Sequence, residues 1–385
     1  MIKQIKESLL AYHQARGFTL YESFPLVTDD PTVLFTNATI TPFKHFFGDR
    51  DATPHNYALV QRCLRVGGGA GELETARADP NYSSFFEMFG SGLFGCSYRA
   101  ATEYFLDILV HIGLPKANLR FTVPETTMFA TALVECGVNE SSIFAINENS
   151  EFWQEWRFGK DGLIGKCITA IYANDDVRVV SIDEIANTPQ SFVEIGNLIH
   201  IYGKAEGERV VSISHEGFDV GMGVERLAII LQGKTLYELA PFYELVELIA
   251  KYIKALGGKD TDSGTLRVVV DHLRSINALI QEGLRPGNKQ QAFVLRKLIR
   301  SLLETMWLSV GRIISSAEIV RVFAELDVPD SATLVSGVVC EEERIFRGTL
   351  ERGRNVLAKN PSLDPEILKG TYGIRQSLLP LLQKG

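Results

Sequence analysis

The feature that most limits how this chain can fold is a change of pattern near residue 235. Before it, short β-rich runs recur. After it, apolar residues keep helical spacing almost without a break. Residues 57–64, 121–123, 142–146, 168–172, 177–182, 192–202 and 209–214 read as strands, and 103–112 and 126–138 as helices. Hairpin-like spacing between 168 and 214 predicts an antiparallel sheet flanked by helices, an α+β layer rather than a doubly wound one. Beyond residue 237 the clearest helical segments are 242–256, 266–282, 289–311 and 341–357, with breaks at Gly257-Gly258 and Pro286-Gly287. Two domains follow, 1–236 with the sheet and 237–385 all-helical.

The 385 residues suffice for two cores, and 45% hydrophobic with 22% charged residues is ordinary for a globular chain. No run is long and apolar enough to span a membrane, and the first residues read as an amphipathic helix buried through Ile5, Leu9, Leu10 and His13 rather than as a signal peptide. Cys63, Cys96, Cys136, Cys167 and Cys340 are scattered without a Cys-x-x-Cys pair, so a reduced, cytoplasmic protein without structural zinc is expected. None of the seven histidines (13, 45, 55, 111, 200, 215, 272) has metal-ligand spacing, and they read as surface or satisfied structural groups. Net charge is −8, divided as −11 over residues 1–240 and +3 over 241–385. That balance permits a nucleic-acid partner for the second domain and does not demand one.

The junction itself, Phe218-Asp219-Val220-Gly221-Met222-Gly223-Val224-Glu225-Arg226-Leu227-Ala228, reads as a strand end turning into a helix. Glycines at 221 and 223 let backbone approach a ligand where a Cβ would block it. Asp219 offers a carboxylate to a cation, and Arg226 a flat cation to a phosphate or a purine face. A glycine turn with two solvated charges is the plainer reading of the same residues.

Asp-Val-Gly-Met-Gly-Val-Glu-Arg resembles motif 3 of the alanyl-tRNA synthetases, a class II family. Further blocks resemble that family in the same order. Leu26 to Lys44 is similar to its motif 1 region, and Gln61 to Glu74 with Phe85-Phe86-Glu87-Met88 to motif 2. Thr265 to Arg300 is similar to the helical domain that follows its catalytic core, and Thr371-Tyr372-Gly373 to that domain's end. The resemblance covers nearly the whole chain. It implies a class II sheet with flanking helices, then an all-helical domain, and an ATP-dependent ligase that makes an aminoacyl adenylate with Mg²⁺.

Such chemistry gathers anions and needs arginines and Mg²⁺ more than a general base, because the attacking carboxylate is already ionised. The resemblance implies that Arg65 clamps the α-phosphate, with Arg62 as support or surface charge. On a strand, positions 62 and 65 face opposite sides. Glu74 is implied to bind adenine or orient Arg65, and Arg226 to pack on adenine or hold the γ-phosphate. Phe86 and Gly223 complete the expected ATP contacts. For the amino acid, Asp219 is implied to hold the ammonium and Asn197 the carboxylate. Trp153, Met88, Ile199 and Gly221 line the rest. Met88 and Ile199 read equally well as core. The set implies a small side chain, most simply alanine.

Departures from the family cluster around the acceptor. Gly69 stands where the family has a lysine, Asn81-Tyr82-Ser83-Ser84 where it has Arg-His-His-Thr, and Gly162 to Thr169 where it has Gly-Pro-Cys-Gly-Pro-Cys-Thr-Glu. In the helical domain Gln290 stands for the asparagine that reads the acceptor stem, and Ser301 for the last arginine. The family's editing and carboxy-terminal regions are missing from the blocks present, so a stand-alone paralogue is expected. Three functions stay open at this point. One transfers the activated acyl group to a specialised small-molecule acceptor. One keeps tRNA as acceptor or as aminoacyl donor, using Gln290, Arg296, Lys297 and Arg300 with Arg267 and Arg274 as a basic helical surface. The last is a non-catalytic module that binds nucleotide, RNA or a partner.

Overall fold

The computed structural model describes residues 1–66, 75–147, 155–158, 162–173, 192–258, 261–361, 363–372 and 374–383. Glu74, Trp153 and the strand expected at 177–182 lie outside them. The chain divides into two compact units, one of residues 1–63 and 86–234, the other of 64–85 and 235–385.

Among the described residues, nine strands form one sheet in the first unit. They are β1 (Thr19–Tyr21), β2 (Tyr57–Leu64), β3 (Phe85–Phe94), β4 (Leu119–Pro124), β5 (Ile143–Ile146), β6 (Glu155–Arg157), β7 (Leu163–Ala173), β8 (Phe192–Glu206) and β9 (Arg209–Gly223). Their order is β1-β2-β3-β9-β8-β7-β4-β5, with β6 on β7. The centre is antiparallel as expected. The β1/β2 and β4/β5 pairs are parallel, so the sheet is mixed. β8 and β9 form a long hairpin around Gly207, whose φ of +64° suits a turn residue without a side chain.

Helices α1 (Ile2–Gln14), α2 (Lys44–Gly48), α3 (Thr75–Ala78), α4 (Tyr98–His111), α5 (Phe129–Glu135) and α6 (Val224–Gln232) follow in chain order. One sheet face packs against α4 and α5 through Tyr98 and Phe129 on Phe218, and against α1 through His13 on Phe89. The other face carries an aromatic cluster of Phe43, Phe46, Phe47 and Tyr57 with Cys167, Ile199 and Ile201. In α1 the buried residues are Ile5, Leu9, Tyr12 and His13; Leu10 is only half-buried, because the 3.6-residue period carries the stripe through 12 and 13 instead.

The strand β3 did not stand out in the sequence. Gly90 and Gly92 dilute its β propensity, and both are required by packing. A Cβ on Gly90 would lie 2.1 Å from Thr39 Oγ1, and one on Gly92 2.2 Å from the Tyr57 ring.

The second unit holds α7 (Phe242–Ala255), α8 (Ser263–Gln281), α9 (Gln290–Val310), α10 (Ala317–Asp327) and α11 (Ala332–Lys359), arranged around one hub helix. That hub is α8, with residues 264–266 and 268–280 all buried. Asp262 caps it, accepting the Thr265 N–H at 2.9 Å. The segment carrying α3 packs on it: Arg77 Nη1 donates to Thr265 Oγ1 at 2.6 Å and Arg267 Nε to the Ala76 carbonyl at 2.8 Å. No helix among the described residues is long and apolar enough to cross a membrane.

Candidate functional site

Strand register builds the candidate site in the first unit. Directly paired residues of neighbouring strands share a sheet face. Cys167 of β7, Ile199 of β8, Asp219 of β9 and Gly92 of β3 form one row, and Thr169, Asn197, Gly221 and Gly90 form the next. Met88 pairs with Gly223 beyond them. Each row therefore runs from side chains into bare backbone. Three side chains lie over those glycines: Tyr57 over Gly92, Thr39 over Gly90, and Met88, whose Sδ is 3.3 Å from where a Cβ on Gly221 would sit.

Asp219 sits at the closed end of this patch, 3% exposed. The Tyr57 hydroxyl donates to its Oδ1 at 3.3 Å. Among the described residues it has no ion-pair partner, and burial pushes its carboxyl well above the usual carboxylate range, with the Tyr57 hydrogen bond opposing. A buried carboxylate without a cation is costly, and a cationic ligand would relieve that cost.

Asn197 is oriented from both sides. Thr169 Oγ1 donates to its Oδ1 at 2.6 Å, and its Nδ2 donates to Glu194 Oε1 at 3.1 Å. Glu194 also pairs with Arg226 at 3.2 Å. Thus Thr169, Asn197, Glu194 and Arg226 form one hydrogen-bonded chain across β7, β8 and the start of α6. The two charges of the glycine turn behave differently. Glu225 is buried and accepts the Glu87 N–H with both carboxylate oxygens, at 3.0 and 3.1 Å. Arg226 stays half-buried, its stem over Gly223, where a Cβ would lie 3.4 Å from its Cγ and Cδ.

The structure therefore brings Met88, Asn197, Ile199, Asp219, Gly221, Gly223 and Arg226 onto one face. Phe86 is half-buried in β3. Arg65 belongs to the second unit, just past the end of β2, and its side chain is exposed. Its backbone is held firmly there: its N–H donates to the Ser84 carbonyl at 2.9 Å, and the Tyr82 hydroxyl donates to its carbonyl at 3.2 Å.

The residues expected to face an acceptor are arranged otherwise than a basic surface. Arg274 is 9% exposed, lies 4.3 Å over the Phe242 ring and donates to the Phe85 carbonyl. It belongs to the core because α8 is the hub of its unit. Arg296 and Arg300 both donate to the buried Glu342 of α11, at 3.2 and 2.8 Å. Ser301 is also buried, with Oγ on His272 Nε2 at 3.0 Å, so this position faces inward and a charge there would not reach solvent directly. Gln290 is exposed at the start of α9 with φ +47°, and Lys297 is half-buried. Glu342→Ala should cost about 3 kcal/mol of stability by leaving two guanidiniums without their buried partner, read by urea denaturation. A loss below ~1 kcal/mol would mean that water replaces the carboxylate at no great cost.

Of the histidines, His13 is buried between the Leu9 carbonyl and Tyr104 OH, and burial lowers its pKa to about 4. It is a neutral structural group. His272 differs from the satisfied residue expected, because its buried Nδ1 has no hydrogen-bond partner among the described residues. The described residues contain no group of three or more His, Cys, Asp or Glu able to hold a metal.

Four residues of this arrangement escaped the sequence reading: Tyr57, Thr169, Glu194 and Asp271. Thr169 and Glu194 act through Asn197, and Asp271 through Ser84. Such second contacts carry no motif. Only for Tyr57 was there a signal, a large polar aromatic at the head of a strand whose next three residues are apolar.

The family model described as tRNA synthetases class II (A) matches residues 4–371. An alanine–tRNA ligase of Nitrosomonas europaea is 30% identical over 97% of this chain and 44% of its own length, and one of Xanthomonas campestris pv. campestris is 32% identical with the same coverage. The chain thus spans less than half the length of these curated relatives. Among solved structures, apo histidyl-tRNA synthetase of S. aureus matches 60% of this chain and 65% of its own at 10% identity, with a TM-score of 0.37. On the family match over residues 4–371, which takes in both the strands of the first unit and the helices of the second, this chain belongs to the class II (A) tRNA synthetases.

Proposed function

We propose that this chain activates a small amino acid, most simply alanine, with ATP and passes the acyl group to an acceptor. One observation carries the reading: Asp219 is buried, with no cation beside it among the described residues, at the closed end of a glycine-lined patch. An α-ammonium supplies the missing charge, and the near-complete burial around that carboxylate favours a short side chain. Asn197 keeps one amide hydrogen for the substrate carboxylate while Glu194 takes the other.

The amino-acid carboxylate attacks the α-phosphorus, the bond to the β-phosphate oxygen breaks, and pyrophosphate leaves. The acceptor nucleophile then attacks the acyl carbon, loses its proton, and AMP leaves. Arg65 is assigned to the α-phosphate and Arg226 to adenine or the γ-phosphate. Both present guanidinium groups at least partly open to solvent, which suits an anionic nucleotide. Glu74 and Trp153 keep the roles given by their motifs. Mg²⁺ enters with the nucleotide and offsets phosphate charge.

For the acceptor we favour a small molecule over tRNA. Arg274 is core, and Arg296 and Arg300 are committed to Glu342, which leaves a reduced cationic face for an acceptor stem. Gln290 and Lys297 then lose their RNA role.

The test is ATP–pyrophosphate exchange over a panel of amino acids without tRNA. Exchange with one small amino acid is the expected result, and none from folded protein that binds ATP would sink the reading. Arg65→Ala should lower exchange by about a hundredfold or more in a protein that still folds, since its side chain is exposed. Acyl transfer to total tRNA from the chain's source, at rates matching exchange, would replace the small-molecule acceptor by tRNA. Stable nucleotide binding with no exchange would instead favour a non-catalytic module.

A further inference from the structure

Tyr57 lies outside every motif, yet its surroundings fix it tightly. It is fully buried, and its ring stacks on Phe43 with centroids 3.7 Å apart and planes 17° from parallel. The opposite support is Gly92, the β3 residue paired directly with Asp219. Any side chain at 92 would strike the ring, because a Cβ there would lie 2.2 Å from its Cε1. Held this way, the hydroxyl meets Asp219 Oδ1 at 3.3 Å. Tyr104 is the other phenol near this carboxylate; its own hydroxyl is turned to Ser91 Oγ at 2.7 Å.

We infer that Tyr57 is a positioning and specificity-determining residue of the amino-acid pocket: its hydroxyl aims Asp219, and its ring closes the space beyond the carboxylate. One carboxylate oxygen is engaged by the phenol, and the other is left for the ligand. The bare backbone at Gly92 is what admits a ring at this point, so the size of residue 92 and the reach of Tyr57 are linked. The ring removes the volume into which a longer substrate side chain would extend.

The inference rests on Asp219 as the ammonium anchor, and the experiment separates the two. Tyr57→Phe keeps the ring and removes only the hydroxyl. Amino-acid-dependent exchange should show KM for the amino acid raised about tenfold, the size expected for one hydrogen bond to a charged group. Turnover and KM for ATP should stay within about twofold, since neither involves that hydroxyl. Tyr57→Leu should in addition bring 2-aminobutyrate within about tenfold of the preferred substrate, as one methylene allows. An unchanged amino-acid KM in Tyr57→Phe, or parallel losses in both substrates with a fall in melting temperature, overturns the inference and leaves Asp219 in its role. A wild-type protein that exchanges with no amino acid overturns both.

Discussion

Asp219→Asn should reduce amino-acid-dependent exchange by about a thousandfold while raising the melting temperature of the ligand-free protein near neutral pH. The first effect follows from removing one partner of a desolvated ion pair, about 4 kcal/mol, which converts to that factor. The second follows from linkage. Burial raises the folded-state pKa of this carboxyl above its unfolded value. The folded protein thus holds the proton more tightly, and this contribution is fully present below the unfolded pKa and lost as pH rises through the folded one. Asparagine carries no such penalty at neutral pH. The stability gap, a few degrees, should therefore be widest at pH 7–8 and narrow as pH falls toward 5. For the same reason KM for the amino acid in the wild type should fall as pH rises through the raised Asp219 pKa. Calorimetry across that range with matched exchange assays checks both. Normal exchange, or a variant less stable by the same amount at every pH, would sink the assignment.

Asp271→Ala should produce the largest loss of stability in the second unit. This carboxylate is 1% exposed and accepts the Ser84 N–H and Ser84 Oγ, each at 2.6 Å, and Ser83 Oγ at 3.1 Å. Ser84 in turn accepts the Arg65 N–H. Alanine would leave a buried backbone donor and the Ser84 hydroxyl without their acceptor, while Ser83 Oγ keeps the Phe85 carbonyl at 2.7 Å, a loss of roughly 3–4 kcal/mol in all. The melting temperature should drop by roughly 10 °C. Asp271→Asn keeps one acceptor oxygen and should lose about half as much. Because the chain from Asp271 to Ser84 to Arg65 fixes where that arginine's backbone sits, KM for ATP should rise in Asp271→Asn before kcat changes. Wild-type melting and ATP dependence in Asp271→Ala would show that Ser84 finds another acceptor.

The departure at Asn81-Tyr82-Ser83-Ser84 takes on a meaning here that the letters alone did not carry. Ser83 and Ser84 each donate a hydroxyl to Asp271, a contact between residues 187 or 188 positions apart. Tyr82 holds the Arg65 carbonyl. What reads as erosion of a motif is a hydrogen-bonded seat for the arginine that motif contributes. The basic helical surface fared in the opposite way: of the cations read onto it, Arg274 is buried, and the half-buried Arg296 and Arg300 share the carboxylate of Glu342.

Periodicity and motif spacing determined much of this protein. They marked β2, β5 and the helices α7, α8 and α9 closely, the α+β layering, the helical second half, and the glycine turn with Asp219 and Arg226. These are local properties: which face of an element is apolar, and where backbone must come close. The tertiary structure decided what local pattern does not encode. It placed Tyr57 on Gly92 and beside Asp219 across 162 positions of sequence, turned Glu225 inward and Arg226 outward, and made α8 a buried hub. Burial and partner choice depend on which distant strands and helices come into register, and that register sets whether a charge is solvated, paired or left waiting for a ligand.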